Sequence, residues 1–72
     1  MNTNVKETRG EILDALNQLL QRNREAERGY NEAAENVKDA ELKSLFGAQS
    51  RQRAEFAQEL DREVRTLGGD PE

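Results

Sequence analysis

The chain has no cysteine, no histidine and no tryptophan. Without cysteine there is no disulfide to staple a small fold and no thiolate to hold a metal. Without histidine the commonest imidazole base and metal ligand is missing, and with it every Ser-His-Asp or Cys-His catalytic set. Aromatic residues make up 4% of the chain, too few for a base-stacking platform. Proline occurs once, at Pro71, so it interrupts nothing upstream. The β-branched aliphatics are Val5, Ile12, Val37 and Val64, with no alternating run, so strand signals are absent. Apolar runs never exceed a few residues, so nothing reads as a membrane span. No apolar stretch follows Met1, so no secretory signal is expected. These absences suggest a non-enzymatic cytoplasmic protein. No cofactor, small-molecule substrate, nucleic acid or membrane is expected as its ligand.

What is present is a chain of 72 residues, room for one small domain. Hydrophobic residues make up 33%, and eight of them are alanine. A core that small is marginal alone. With disulfides and thiolate metal sites excluded, self-association is the staple that remains. Charge is abundant and mixed: 15 acidic and 11 basic residues give a net charge of -4. Arg22, Arg24, Arg28, Arg51 and Arg53 cluster in sequence, but Glu25, Glu27 and Glu55 sit among them. That mixture reads as a solvated helix face with ion pairs, not as a nucleic-acid footprint.

Two runs have helical period. Ile12, Leu16, Leu19, Asn23, Ala26, Tyr30, Ala33 and Val37 step alternately by 4 and 3 residues, a heptad seam. Leu13, Leu20 and Ala34 add a flanking stripe at sevenfold spacing, with Glu27 as its one charge. The apolar face is thus wide enough to pack against two neighbours in a bundle. The second run is Leu42, Phe46, Gln49, Arg53, Phe56, Leu60, Glu63 and Leu67, broadened by Leu45 and Val64.

The boundaries also have signals. Thr8 with Glu11 forms a capping-box pattern, and Asn4 with Glu7 a similar one upstream. The secure helix is expected to begin near Thr8 and run to about residue 37. Asp39 suits an N-cap, and Gly68 suits a C-terminal cap. The sequence therefore predicts one domain over residues 1–72: a helix over about 8–37, a turn at 38–39, a helix over about 40–67 and a disordered tail at 68–72. So short a connection makes the helices antiparallel neighbours. Residue x then lies at about the height of residue 77 minus x. Gly29 and Gly47 fall near one level, either to let the backbones approach or simply as tolerated helical glycines.

By the same rule Asn23 meets Arg53, with Glu27 and Gln49 within a turn or so. The seam is apolar at both ends and polar in the middle. Burying Arg53 unpaired is expensive, which implies a carboxylate partner such as Glu27. The layer reads as a register or partner-selecting device; Arg53 snorkelling to solvent and a ligand or metal site stay open beside it. The face for the core and for a dimer partner comprises Ile12, Leu13, Leu16, Leu19, Leu20, Tyr30, Leu42, Leu45, Phe46, Phe56, Leu60 and Val64.

The stretch ERGYNEAAENVKDAELKSLF, followed by RQRAEFAQELDREVRTLGGDPE, resembles the first half of a bacterial ferritin-like four-helix-bundle family of unknown function. Its members read EKGY-x-EAAE, VKD-x-ELK-x-LF, QRA-x-FA-x-EL and LGG-x-P. The match runs from about Ile12 to Glu72. A weaker resemblance extends to encapsulated ferritins and rubrerythrins. It implies a glutamate ligand at the position of Asn23 and an E-x-x-H ligand pair at Arg53 and Phe56. All three metal-ligand positions are lost in this sequence, and one is a cation.

Taken together, the residues and the resemblance lead to an all-α expectation. An antiparallel hairpin pairs as a homodimer into a ferritin-like four-helix bundle and acts as a structural or interaction protein. The alternative is an iron-handling protein that uses Glu27, Glu55 or Glu59. A third possibility is a truncated or designed fragment whose face is covered by a second helical pair of the same polypeptide.

Overall fold

The structure, a computed structural model, describes residues 5–71. Two helices fill most of that span: α1, Val5–Asn36, and α2, Ala40–Thr66. They lie side by side as an antiparallel hairpin, and the described residues contain no strand. α1 begins upstream of the expected start, so Thr8 and Glu11 sit inside the helix and do not cap it. The other capping pattern begins at Asn4, outside the described residues.

Residues 37–39 join the helices, and side chains meet one amide and one carbonyl beside the turn. Asp39 is the N-cap of α2: its carboxylate accepts from the Leu42 amide at 2.9 Å. Lys43 Nζ reaches back from the first turns of α2 and donates to the Ala34 carbonyl at 2.6 Å. A cation thereby fills one of the open carbonyls at the negative end of α1.

The other end of α2 closes in a Schellman turn. Gly68 takes φ +86°, the Gly68 amide donates to the Arg65 carbonyl at 3.0 Å, and the Gly69 amide donates to Val64 at 2.9 Å. The tail expected to be disordered from residue 68 is thus held, at least through Gly69. A Cβ on Gly69 would stand 2.7 Å from Leu13 Cδ2 and 3.2 Å from Val64 Cγ1. The chain folds over Leu13 because nothing larger than hydrogen occupies that position.

Cross-helix contacts fix the register. Glu27 meets Ser50, Ala34 meets Lys43, Asn23 meets Arg53 and Tyr30 meets Phe46. Heights agree to within a residue with the expected pairing rule.

The buried seam lies one residue around from the expected one. Leu20 and Val64 are fully buried, and Ala57 and Ser50 nearly so. Leu13, Glu27 and Ala34 are half-buried beside them. On α1 the sevenfold stripe of Leu13, Leu20, Glu27 and Ala34, expected as the flank, is the seam between the helices. On α2 it is Ser50, Ala57 and Val64. The expected seam would have turned Gln49 and Glu63 inward. Rotation by one residue replaces them with small side chains that need little desolvation.

The glycines do not draw the backbones together. A Cβ on Gly29 would meet nothing within 4 Å, and one on Gly47 only the Arg51 guanidinium at 3.8 Å. The molecule is a rod of 56 × 18 × 17 Å with a radius of gyration of 16.1 Å. A compact domain of this length has a radius of about 11 Å.

Candidate functional site

The hairpin has two unlike sides. In each helix the residue preceding a seam position lies about 100° around from it. Because both helices are right-handed and run in opposite directions, these preceding residues turn to the same side of the hairpin. On α1 they are Ile12, Leu19, Ala26 and Ala33; on α2 they are Gln49, Phe56 and Glu63, and Leu42 and Leu45 turn to the same side. Among the described residues, Ile12, Leu19, Leu42, Leu45 and Phe56 are the exposed large hydrophobic ones, each 42–51% exposed. All five belong to this one side, together with half-buried Leu16, Tyr30, Phe46 and Leu60.

The opposite side is ionic. Asp61 accepts from Arg65 Nε at 2.6 Å and lies 3.5 Å from Arg24 Nη2, tying α2 to α1. Asn17 shares that side. Sequence reading assigned no role to Asp61. The signal was there, since an aspartate four residues before an arginine on one helix is a favourable spacing.

Midway along the apolar side lies a polar layer. Arg53 Nη1 donates to Asn23 Oδ1 at 3.4 Å, and Asn23 Nδ2 donates to the Leu19 carbonyl at 2.8 Å. The structure thus brings Asn23 and Arg53 together. It does not give Arg53 the carboxylate expected from Glu27. Glu27 engages α2 through its backbone carbonyl, which accepts from Ser50 Oγ at 3.0 Å. Gln49 is half-buried one turn away. Arg53 Nε is buried and has no hydrogen-bond partner.

Near the turn, Tyr30 and Phe46 stack across the helices with centroids 6.3 Å apart and rings inclined by 27°. Beside them Ala26, Gly29 and Ala33 complete an open groove of about 370 Å³. Apart from Tyr30, its α1 wall is built of the smallest side chains.

The residues do not suit the di-iron group that the resemblance implies. At the three corresponding positions stand an amide, a guanidinium and a phenyl ring, and the guanidinium already donates to the amide oxygen. A site for iron needs carboxylate and imidazole donors there. Among the described residues no three acidic side chains gather closely enough to hold a metal ion. Glu27, Glu55 and Glu59 do not form such a group. No helix among the described residues is long and apolar enough to cross a membrane.

The family model described as "Domain of unknown function (DUF2383)" matches residues 11–72. No curated protein and no solved structure matches the chain.

Proposed function

We propose, for a chain that belongs to this DUF2383 family of unknown function, that it is a small non-enzymatic structural or interaction protein whose hairpins pair as a homodimer. The assembly is a four-helix bundle of the ferritin-like type. The bacterial part of this reading rests on the resemblance of the ERGY and LGG segments.

The observation that carries this reading is the one-sided apolar face. Five large hydrophobic side chains from both helices share it, and the opposite side is ionic. The area agrees. The chain exposes 5574 Å². A folded monomer of its 8.2 kDa mass exposes about 4,500 Å². The excess, on the order of 1,000 Å², is about what one partner contributes to a standard interface, roughly 800 Å². A second copy presents an apolar face of the same length and width, and a two-fold axis closes the assembly at two chains.

The polar layer supports self-pairing over general stickiness. Arg53 and Asn23 interrupt the apolar face at its middle, where an out-of-register partner would leave them against hydrocarbon. Sedimentation equilibrium at micromolar concentration tests the reading. A dimer is the expected result. A monomer would overturn it, and so would a monomer that binds a separate helical pair supplied in trans.

A further inference from the structure

We propose that the paired hairpins hold a small oxyanion, of the phosphate or sulfate class, between the Arg53 side chains of the two copies. The inference rests on the homodimer reading and adds a ligand to the middle of its interface.

The open face has a central stripe. On α1 it is Leu16, Asn23 and Tyr30, and on α2 it is Phe46, Arg53 and Leu60, spaced by seven residues and all half-buried. The polar pair is the middle member of both rows, and the contact between Asn23 and Arg53 keeps the two level. The pair is also midway along the exposed apolar face. Ile12 marks one end of that face, eleven residues before Asn23, and Leu42 marks the other, eleven residues before Arg53. A second copy that covers the whole face therefore sets its own polar layer on this one. A two-fold axis across the helices inverts heights about the layer, and one along them keeps heights. In both cases the two Arg53 side chains share one level.

That pairing doubles a charge which the hairpin leaves unbalanced. Among the described residues Arg53 forms no salt bridge. Its Nη1 contact to Asn23 Oδ1 is long, at 3.4 Å, and its Nε is buried with no acceptor. The acidic residues of the chain do not meet this need. Glu27 is one turn from Asn23, yet its carboxylate does not pair with Arg53 within the hairpin. Glu25 and Glu55 follow the layer by two residues, which turns them about 200° around their helices. Both are exposed, as is Glu59 on the same outer side of α2 as Glu55. Asp61 is held on the ionic side by Arg24 and Arg65. Glu63 flanks the open face, but ten residues from Arg53, about 15 Å along the helix. A partner whose layer is level with this one brings its own Glu63 no nearer.

Two guanidinium groups that meet on a face stripped of water need a counter-charge, because like charges repel and a buried cation without a partner is costly. An oxyanion fits the geometry. The planar N–H donors of a guanidinium match two oxygens of one phosphate, and the remaining oxygens are open to the second arginine. Leu16 and Leu60 on one side of the layer, with Tyr30 and Phe46 on the other, bound it with mostly apolar surface. Exclusion of water there strengthens a charge-assisted hydrogen bond. A metal cation is repelled by the same pair of charges.

The test is sedimentation equilibrium at fixed pH and ionic strength, with inorganic phosphate exchanged for chloride. In chloride the paired charges oppose association. Phosphate is expected to lower the dissociation constant of the wild-type dimer, by about tenfold once its concentration is ten times its own dissociation constant. Arg53→Met has no charge to balance, and its dissociation constant should be the same in both buffers. Calorimetry on the wild-type dimer should count one phosphate per two chains. A dimer indifferent to phosphate overturns the proposal and leaves the homodimer standing. So does a phosphate effect that Arg53→Met retains, or any other stoichiometry, since each marks an adventitious ion only. A wild-type monomer in both buffers overturns the homodimer reading itself.

Discussion

Leu19 and Leu20 are adjacent in the chain and face different partners: Leu20 is 0% exposed between the two helices, whereas Leu19 is 45% exposed on the open face. The offset between them separates what holds the hairpin together from what it offers to another molecule. The same offset divides Ala57 from Phe56 on α2.

The first prediction follows from that pair. Leu20→Ala removes a fully buried side chain and should destabilise the fold by about 2–5 kcal/mol. Leu19→Ala should leave the hairpin's helicity intact while weakening association. Urea unfolding at several protein concentrations separates the two: the Leu20 variant loses stability at every concentration, and the Leu19 variant loses its concentration dependence. Equal effects would contradict the division.

At the end of α2, Gly68 sits at φ +86°. Gly68→Ala forces a side chain into the left-handed region at a cost of roughly 1–2 kcal/mol. In a domain this small each kcal/mol lowers the melting temperature by about 4–8 °C. Gly10→Ala is the control. It lies within α1 with nothing within 4 Å of its Cβ position. It should gain about 1 kcal/mol from helix propensity.

Much of this was legible in the sequence. The two helices, their register and the Asp39 cap followed from spacing and one short connection. The choice of seam did not, for a physical reason. Helical period marks an apolar arc but not its centre, and two stripes one residue apart both satisfied it. The deciding residues were Ser50 and Ala57, too small to register as core, yet Ala57 is level with Leu20 and small enough to let it in. Burial of Gly69 against Leu13 was also hidden, because it depends on where the chain goes after the helix ends. Within the candidate site, the meeting of Asn23 and Arg53 was read from register alone. The carboxylate expected for Arg53 was not found, since no spacing rule says that Glu27 meets α2 through its backbone carbonyl, which accepts from Ser50.

Arg53 gives a third prediction. Its Nε is buried without a hydrogen-bond partner, and the proposed dimer would remove more water from it. A buried guanidinium without a carboxylate partner carries a desolvation cost that an apolar side chain of similar length does not. Arg53→Met should therefore tighten the dimer, seen as a lower dissociation constant by sedimentation. A weaker dimer would mean that the guanidinium makes a contact across the interface that outweighs its desolvation.

The ferritin-like geometry has its own check. Asn23, Arg53 and Phe56 lie together on the open face, at the positions that the resemblance assigns to metal ligands. The triple variant Asn23→Glu, Arg53→Glu, Phe56→His restores carboxylate and imidazole donors there. It should gain at least about tenfold in Zn(II) affinity, roughly 1.4 kcal/mol, measured by calorimetry on the dimer. An unchanged affinity with intact helicity and dimer mass would count against the ferritin-like alignment.

Native mass spectrometry of the wild-type protein, expressed with added iron, tests the central claim most directly, because it reads assembly mass and bound metal in one spectrum. The expected species has twice the 8.2 kDa chain mass and carries no iron. A monomer would contradict the pairing of hairpins, and an assembly that retains iron would contradict the reading of Asn23, Arg53 and Phe56 as a layer unsuited to metal.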